Sequence, residues 1–500
     1  MASFKPVDIL TLDVGTTALK AAIFDAHGRL RATAACEYQP AKPRPDWMEL
    51  DPEVYWEAAC RGIKSALDAC RQDGVDIRAV GVTSQGETLI VLDGQGRPLR
   101  PAIVWLDTRS AAEAAELARV FDPAEVYRIT GQQEMIPAWP ATRIMWLRRH
   151  EPEIFARAAK YLLVGDYLVF RLTGRFISDR GLNPSTLYFD LNTGAWWPAM
   201  LEYLGLRAEQ LPELSGPAAV AGAVHAAAAR DTGLTAGIPV APAPIDQVCG
   251  ALGAGSINPG VITENTGAAL ALAATTLRPV LDPQRRVGVY MHGVPGRYVL
   301  LPWAPTAGMA LRWFRDEFGD GADYDALCRP AAEVAPGADG LWLLPHFSGA
   351  GCPHVSARAR AAFLGLTLNH TRAHLVRALL EAVAFMVRGN LEMLAEMGVA
   401  GTELRSLGGA SRSALWLQIK ADVCRRDLVT MECAEATSLG AALLAAVAVG
   451  LYPAHAAACA AMVRPQKVVR HDPATADLYE PVYQSYCELE KKALPEFDAG

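Results

Sequence analysis

Apolar and polar positions alternate at the start of the chain in the manner of a β-strand. Leucine, leucine and valine at positions 10, 12 and 14 flank Thr11 and Asp13, and a period of two indicates a strand. The run Gly15-Thr16-Thr17 predicts a tight turn, and the apolar run at 19–24 predicts a second strand. A third strand is expected at 30–37, which completes a three-stranded meander.

This first turn carries groups suited to a phosphate. Gly15 lets a phosphate approach the backbone, and the hydroxyl groups of Thr16 and Thr17 can donate hydrogen bonds to it. Asp13, at the end of its strand, could hold a magnesium ion or its waters. Taken alone, the stretch is more typical of an ordinary hairpin with a polar tip, and the remainder of the chain decides between the two.

The rest of the pattern alternates strands with amphipathic helices, which predicts an α/β protein. Strands are expected at 77–83, 89–92, 101–105, 238–245, 404–407 and 428–431, and helices at 52–71, 142–149, 371–396, 414–424 and 436–449. Polar groups follow the predicted strand ends, the usual place for ligands in such sheets. They include Gln85 and Glu87 after one strand and Trp105 and Asp107 after another. Trp105 could stack on a sugar, but a core tryptophan is equally expected.

A second candidate carboxylate stands where a strand meets a helix rich in small residues. The strand at 238–245 arrives at Asp246-Gln247, and VCGALGAG follows. The dipole of a helix favours a negative charge at its start, although a helix-capping aspartate would look the same. The segment 261–274 then repeats the strand–turn–strand shape of 10–22. This repeat predicts two similar domains, 1–245 and 246–500, that face each other across a cleft.

Composition narrows the class of protein. Five hundred residues are too many for one core. A net charge of −7 and a pI near 5.9 argue against a nucleic-acid or anionic-membrane partner. The longest apolar run, 439–450, is too short to span a bilayer and predicts a buried helix.

The spacing of the cysteines and the absence of certain short motifs exclude further kinds of binding site. The ten cysteines form no C-x-x-C pair and the start of the chain has no signal-peptide pattern, so we expect a cytoplasmic protein without a Cys/His metal site. Neither a P-loop motif nor a G-x-G-x-x-G motif after a first strand is present.

Three motifs together resemble one family. They are LDVGTT at 12–17, LGGAS at 407–411 and the long segment AAFLGLTLNHTRAHLVRALLE at Ala361–Glu381. Nearly the whole chain resembles the FGGY family of carbohydrate kinases, the group of xylulokinase, ribulokinase and glycerol kinase. The shorter N-terminal signature of that family fits less well, because Arg143 replaces its usual lysine and Ala138 its usual opening residue.

The resemblance implies two duplicated actin-like, ribonuclease-H-like domains with a central cleft, and it implies ATP and Mg²⁺ as cofactors. It makes Asp246 the catalytic base and places the metal at Asp13 and Asp246. The implied substrate residues are Gln85, Gly86, Glu87, Trp105, Asp107 and Gln247. The implied nucleotide residues are Gly15, Thr16 and Thr17 in the first turn, Gly267 and Ala268 in the second, and Gly308, Gly409, Ala410 and Ser413 in the adenosine pocket. Ala268 stands where a threonine is usual and cannot donate a side-chain hydrogen bond.

The expected activity is ATP-dependent phosphorylation of a hydroxyl group of a ketopentose or related polyol, similar to xylulokinase. Gly86 stands where glycerol kinases carry an arginine, which favours a longer substrate. Ribulose, glycerol, erythritol and a quorum-sensing dione remain alternatives, as does a non-catalytic sugar-binding regulator, which Ala268 would suit. The expected partners are a small sugar or polyol and ATP, with no nucleic acid and no membrane; a homodimer is left open.

Overall fold

The computed structural model describes residues 7–499. The strands before residue 258 are β1 (Asp8–Val14), β2 (Ala18–Asp25), β3 (Leu30–Glu37), β4 (Glu49–Leu50), β5 (Ile77–Ser84), β6 (Leu89–Leu92), β7 (Ala102–Ile103), β8 (Lys160–Leu163), β9 (Ile177–Asp179), β10 (Phe189–Asp190), β11 (Ala195–Trp196), β12 (Glu213–Ser215), β13 (Gly222–Ala223) and β14 (Pro239–Ile245). The helices of this part are α1 (Pro52–Ala69), α2 (Ala111–Val120), α3 (Pro123–Thr130), α4 (Pro140–His150), α5 (Pro152–Arg157), α6 (Val164–Thr173), α7 (Pro198–Leu204), α8 (Ala226–Thr232) and α9 (Asp246–Gly253).

The later strands are β15 (Val261–Thr266), β16 (Leu270–Thr276), β17 (Gly288–Met291), β18 (Tyr298–Leu301), β19 (Trp303–Ala304), β20 (Trp342–Leu344), β21 (Ala362–Leu364), β22 (Glu403–Leu407), β23 (Leu428–Met431) and β24 (Pro465–Val469). The later helices are α10 (Gly308–Phe318), α11 (Tyr324–Cys328), α12 (Arg372–Glu396), α13 (Ala414–Cys424), α14 (Ala436–Ala448), α15 (His455–Met462) and α16 (Pro473–Ala499). None of the helices within 7–499 is long and apolar enough to cross a membrane.

The chain forms two compact units that do not divide at a single point. The first unit comprises the residues up to Ile257 together with Leu277–Val299 and Glu435–Val463. The second comprises Asn258–Thr276, Leu300–Ala434 and the residues from Arg464 on. A single break at 245 therefore differs from the observed division, because α9 and α14 both belong to the first unit.

A six-stranded sheet organises the first unit, in the order β13-β14-β5-β1-β2-β3. The predicted meander β1-β2-β3 is confirmed, and β5 and β14 extend it as strands parallel to β1. The apolar side chains of β1 at 10, 12 and 14 pack with those of α1, while α14 covers the other face of the sheet. Because both faces of the sheet are covered, nearly every residue of β1 and β5 is buried, most of the polar ones included.

Two glycines let α9 and α14 approach until their backbones touch. A Cβ atom at Gly253 would stand 1.8 Å from the carbonyl oxygen of Ala436, and one at Gly440 would stand 2.0 Å from that of Cys249. No side chain fits at either position. The predicted buried helix at 439–450 is thus confirmed within α14, and it holds α9 directly against the first unit's sheet.

The sheet of the second unit repeats the central order of the first. Strand β15 is antiparallel to β16 and parallel to β22, which is parallel to β23. The strands β16-β15-β22-β23 match β2-β1-β5-β14 both in their spatial order and in their parallel or antiparallel pairing. The predicted α/β class and internal duplication are therefore confirmed.

Candidate active site

Three parallel strands end in one row at one edge of the first sheet. Val14 on β1 and Ile245 on β14 both lie opposite Ser84 on β5. The amide nitrogen of Gln85 then donates a hydrogen bond to the carbonyl oxygen of Val14 at 2.8 Å. Because the carboxyl ends of parallel strands share an edge, the residues that follow them come together, as the sequence predicted.

Two aspartates form the acidic part of this edge. Burial raises the pKa of Asp13 to about 6, against the opposing charge of Lys20. Burial and the nearby charge of Asp13 raise the pKa of Asp246 to about 8. Asp246 is the first residue of α9, whose N-cap is Ile245, and one of its oxygens accepts from the amide of Gln247 at 2.6 Å. It is therefore not the capping residue, and two carboxyl groups that oppose each other's ionisation suit proton transfer or a bound cation.

Lys20 is a positively charged residue at this edge that was not among the predicted site residues. It lies opposite Asp13 in the β1–β2 hairpin, and its Nζ binds a carboxylate oxygen of Glu435 at 2.8 Å. Once the turn at 15–17 is fixed, the hairpin register pairs position 13 with position 20. The lysine could therefore have been found from the predicted turn alone.

The segment Gln85–Glu87 is buried at the same edge. Burial raises the pKa of Glu87 to about 7, against the opposing charge of Arg143. Glu87 has a φ of 59°, a left-handed backbone that residues other than glycine seldom adopt. A Cβ atom at Gly86 would stand 2.8 Å from Cδ1 of Ile245, so Ile245 takes the space that a side chain would need.

Trp105 and Thr16 connect this segment to the first turn. The indole Nε1 of Trp105 donates to Oγ1 of Thr16 at 2.8 Å, and Thr16 donates to Oε1 of Gln85 at 2.9 Å. Thr17, the other hydroxyl of the turn, is exposed. The structure therefore joins a predicted phosphate residue to two predicted substrate residues.

Asp107 belongs to the loop after β7 that also carries Trp105, and both oxygens of its carboxylate accept hydrogen bonds. The side chain is only 1% exposed, and its oxygens accept from the amide of Met48 at 2.6 Å and from the guanidinium of Arg109 at 2.7 and 2.9 Å. In this structure Asp107 supports the loop that carries Trp105, and its contact with a sugar stays a prediction.

Three of the predicted nucleotide residues, Gly267, Ala268 and Gly308, lie together in the second unit. The amide of Gly308 donates to the carbonyl oxygen of Gly267 at 2.9 Å, and that of Met309 donates to Ala268 at 3.1 Å. A Cβ atom at Gly308 would stand 2.4 Å from the same Gly267 oxygen, so only glycine fits there. The second turn and the start of α10 are thus fastened to each other, with Ala268 exposed between them.

The Gly408–Ala410 segment follows β22, the strand parallel to β15. Gly408 has a φ of 77°, and a Cβ atom there would stand 2.5 Å from Oδ1 of Asn265. A Cβ atom at Gly409 would meet nothing within 4 Å, so this residue borders open space. Ser413 caps α13, since its Oγ accepts from the amide of Trp416 at 3.3 Å. Gly409 and Ala410 therefore stand at the same sheet edge as the second turn.

A buried ion pair lies beneath the second turn and was not predicted. Nζ of Lys420 contacts Oε1 of Glu264 at 2.9 Å and Oγ1 of Thr266 at 2.8 Å, and both charged side chains are fully buried. Glu264 and Thr266 are on β15, which ends at the turn. A buried pair of this kind resists rearrangement because separating it leaves an uncompensated charge.

Two family models match the chain. One describes the N-terminal domain of the FGGY family of carbohydrate kinases and matches residues 9–253. The other describes the C-terminal domain of the same family and matches residues 267–449.

Individual relatives match over most of their length. The chain is 31% identical to the xylulose kinase of Escherichia coli (strain K12) over 438 residues, which are 87% of this chain and 89% of that protein. It is 32% identical to the autoinducer-2 kinase of Klebsiella pneumoniae subsp. pneumoniae, covering 98% of this chain and 95% of that protein. It is 34% identical to the glycerol kinase of Alkalilimnicola ehrlichii, covering 91% of this chain and 92% of that protein. The crystal structure of xylulose kinase from Rhodospirillum rubrum superposes with a TM-score of 0.89 at 31% identity, covering 98% of this chain and 100% of that one.

Proposed function

Because this chain belongs to the FGGY family of carbohydrate kinases, we propose that it transfers the terminal phosphoryl group of ATP to a hydroxyl group of a ketopentose, with xylulose as the first candidate. The observation that carries this proposal is the meeting of Asp13, Asp246 and the buried Gln85–Glu87 segment where β1, β5 and β14 end. The xylulose kinases among the relatives and solved structures support the choice of sugar.

Asp246 is the proposed general base. In its ionised form it can take the proton of the attacking sugar hydroxyl, which makes that oxygen a better nucleophile. Gln85, Glu87 and Gln247 are the proposed partners of the other sugar hydroxyls, since amide and carboxyl groups can donate to or accept from them. The Trp105 ring is proposed to border the sugar, and Arg109 and Asp107 hold its loop in place.

Asp13 and Asp246 are the residues proposed to hold a magnesium ion. Their carboxylate oxygens are the ligand type that Mg²⁺ prefers, and burial raises the pKa of both groups, so that a bound cation would stabilise their ionised forms. Within 7–499 no group of three or more His, Cys, Asp or Glu side chains could hold a metal, so the phosphates of ATP and waters are needed to complete the coordination. A cation held there would offset phosphate charge and favour the ionised form of Asp246.

Nucleotide contacts are proposed for each turn by itself, through backbone amides and, in the first turn, the threonine hydroxyl groups. Gly15, Thr16 and Thr17 serve the phosphates on the first unit. Gly267, Ala268, Gly308, Gly409, Ala410 and Ser413 serve it on the second. Open space beside Gly409 supports an approach of the adenosine to the backbone there.

A substrate panel tests this proposal. ADP release is measured with xylulose, ribulose, erythritol, glycerol and the autoinducer-2 dione at equal concentrations, and kcat/KM is compared. We expect xylulose to give the highest value. A higher value with the dione would favour autoinducer-2 phosphorylation, the second candidate, which the Klebsiella relative supports. ADP release with none of them would favour a non-catalytic sugar-binding regulator.

A further inference from the structure

Arg143 on α4 is a fully buried arginine. Within 7–499 no carboxylate lies within salt-bridge distance of its guanidinium. Its four hydrogen bonds all go to backbone carbonyl oxygens. Nη1 donates to Glu87 at 2.6 Å and to Ile103 at 3.3 Å; Nη2 donates to Trp105 at 2.8 Å and to Asp107 at 3.3 Å.

These four carbonyl groups belong to two separate segments. Glu87 lies between β5 and β6, whereas Ile103, Trp105 and Asp107 belong to β7 and the loop after it. Both segments are proposed to contact the sugar. A single planar guanidinium therefore joins the two halves of the proposed sugar site through their main chains.

The shortest of the four bonds falls on the most unusual backbone. Glu87 has a left-handed φ of 59°, a conformation that persists only where the surroundings impose it. Its carbonyl oxygen is fixed by Arg143 at 2.6 Å. With that oxygen fixed, the peptide plane that follows Glu87 is fixed, which restrains the backbone from which the Glu87 side chain extends.

We infer that Arg143 is a positioning residue that sets the geometry of the sugar-binding segments 85–88 and 103–107 without touching the sugar. This inference rests on the proposed function. A lysine at this position would hold fewer of the four carbonyl oxygens, since an ammonium group donates from one nitrogen whereas a guanidinium donates from several in a plane. Arg143→Lys should therefore release part of the carbonyl set while keeping the charge.

The test compares Arg143→Lys with Arg148→Lys. Arg148 is on the same helix and also donates to a backbone carbonyl, that of Tyr203 at 2.8 Å. We expect Arg143→Lys to raise the KM for xylulose at least tenfold and to leave the KM for ATP within twofold. Arg148→Lys should change neither value more than twofold. Equal changes in both KM values for Arg143→Lys, or no change in either, would overturn the inference.

A second measurement needs no substrate. Hydrogen exchange reports the amides of Thr88 and Asp107, which bond to Gly86 and Val104 at 2.7 and 2.8 Å. In Arg143→Lys we expect both to exchange at least tenfold faster, while the amide of Leu12 in β1 does not change. Unchanged exchange at Thr88 and Asp107 would overturn the inference even if the KM values moved. If the wild-type chain phosphorylates no compound of the panel, the proposed function fails, and hydrogen exchange alone decides the role of Arg143.

Discussion

The indole nitrogen of Trp105 and the hydroxyl group of Thr16 share a hydrogen bond of 2.8 Å. The hydroxyl group of Thr16 in turn donates a hydrogen bond to Oε1 of Gln85 at 2.9 Å. One hydroxyl group thus connects the first turn, the segment after β5 and the loop after β7. If the turn holds phosphate and the other two hold sugar, the positions of the two substrates depend on the same side chain.

Replacing Thr16 by valine should therefore affect both substrates. Thr16→Val removes two hydrogen bonds at about 0.5–1.5 kcal/mol each, and we expect the KM values for ATP and for xylulose each to rise roughly tenfold. Steady-state kinetics with each substrate varied in turn would measure this. Thr17→Val is the control, because the exposed Thr17 should leave the xylulose KM within twofold. A Thr16→Val enzyme with an altered ATP KM alone would contradict the coupling.

Asp246→Asn should abolish most turnover while leaving sugar binding. Asparagine has the shape of aspartate but cannot accept the hydroxyl proton, and loss of a general base costs roughly 10²–10⁴-fold in rate. We expect kcat to fall within that range and the dissociation constant for xylulose, measured by calorimetry, to change little. An Asp246→Asn enzyme with near-normal kcat would exclude Asp246 as the base.

The same substitution should make the free protein more stable at high pH. The pKa of Asp246 is about 8 in the folded chain, compared with about 3.9 in an unfolded chain. Between these values the folded state binds more protons, so the stability of the wild type falls as the pH rises from about 4 to about 8. Asparagine does not ionise and escapes this loss.

Thermal unfolding with EDTA present would measure the effect. We expect Asp246→Asn to unfold at a higher temperature than the wild type at pH 8.5, by the equivalent of up to about 5 kcal/mol, and the difference to vanish near pH 4. A difference that is constant across this range would mean that ionisation of Asp246 is not its cause.

Glu87→Ala should weaken sugar recognition selectively. A hydrogen bond to a charged group contributes about 1.5–3 kcal/mol, so kcat/KM for xylulose should fall roughly ten- to a hundredfold while the KM for ATP stays unchanged. Glu57→Ala, at an exposed position of α1, is the control and should resemble the wild type. If Glu87→Ala weakens ATP binding and leaves the sugar unaffected, the sugar has been assigned to the wrong segment.

Ala268→Thr should improve nucleotide binding. Ala268 is exposed at the tip of the second turn, so a threonine would add a hydroxyl donor at the position where the family usually has one. One added hydrogen bond predicts a KM for ATP that is about two- to tenfold lower. Ala268→Val adds similar bulk without the hydroxyl and should give no gain. Equal effects of the two substitutions would show that the hydroxyl does not matter.

Local patterns predicted much of this molecule because many of its elements are short and sharply bounded. The β1–turn–β2 hairpin, the meander and the second strand–turn–strand segment at 261–274 all follow from the alternation of apolar and polar residues and from the turn residues between them. The strand ends placed Gln85 and Asp246 correctly at one edge, since both follow parallel strands.

Such local patterns could not predict contacts between residues that are far apart in the sequence. Lys420 and Glu264 are 156 positions apart, and nothing local marks either as the partner of a buried charge. Arg143 stood out only as a departure from a signature, because its four carbonyl partners exist only after the loops are folded. No local signal in α14 indicates which of the two similar sheets it covers, because that choice depends on contacts with strands far away in the sequence.

Because α9 and α14 touch through their backbones, two glycines far from Asp246 in the sequence should tolerate substitution as poorly as the proposed base itself. Gly253 and Gly440 carry no chemistry, yet a single methyl group at either would push α9 away, and with it Asp246 at its first turn. Among random variants of this enzyme, loss of activity should therefore cluster along the seam where α9 meets α14 as well as around the candidate active site. A survey of inactive alleles would mark that seam as functional, although nothing in it meets a substrate.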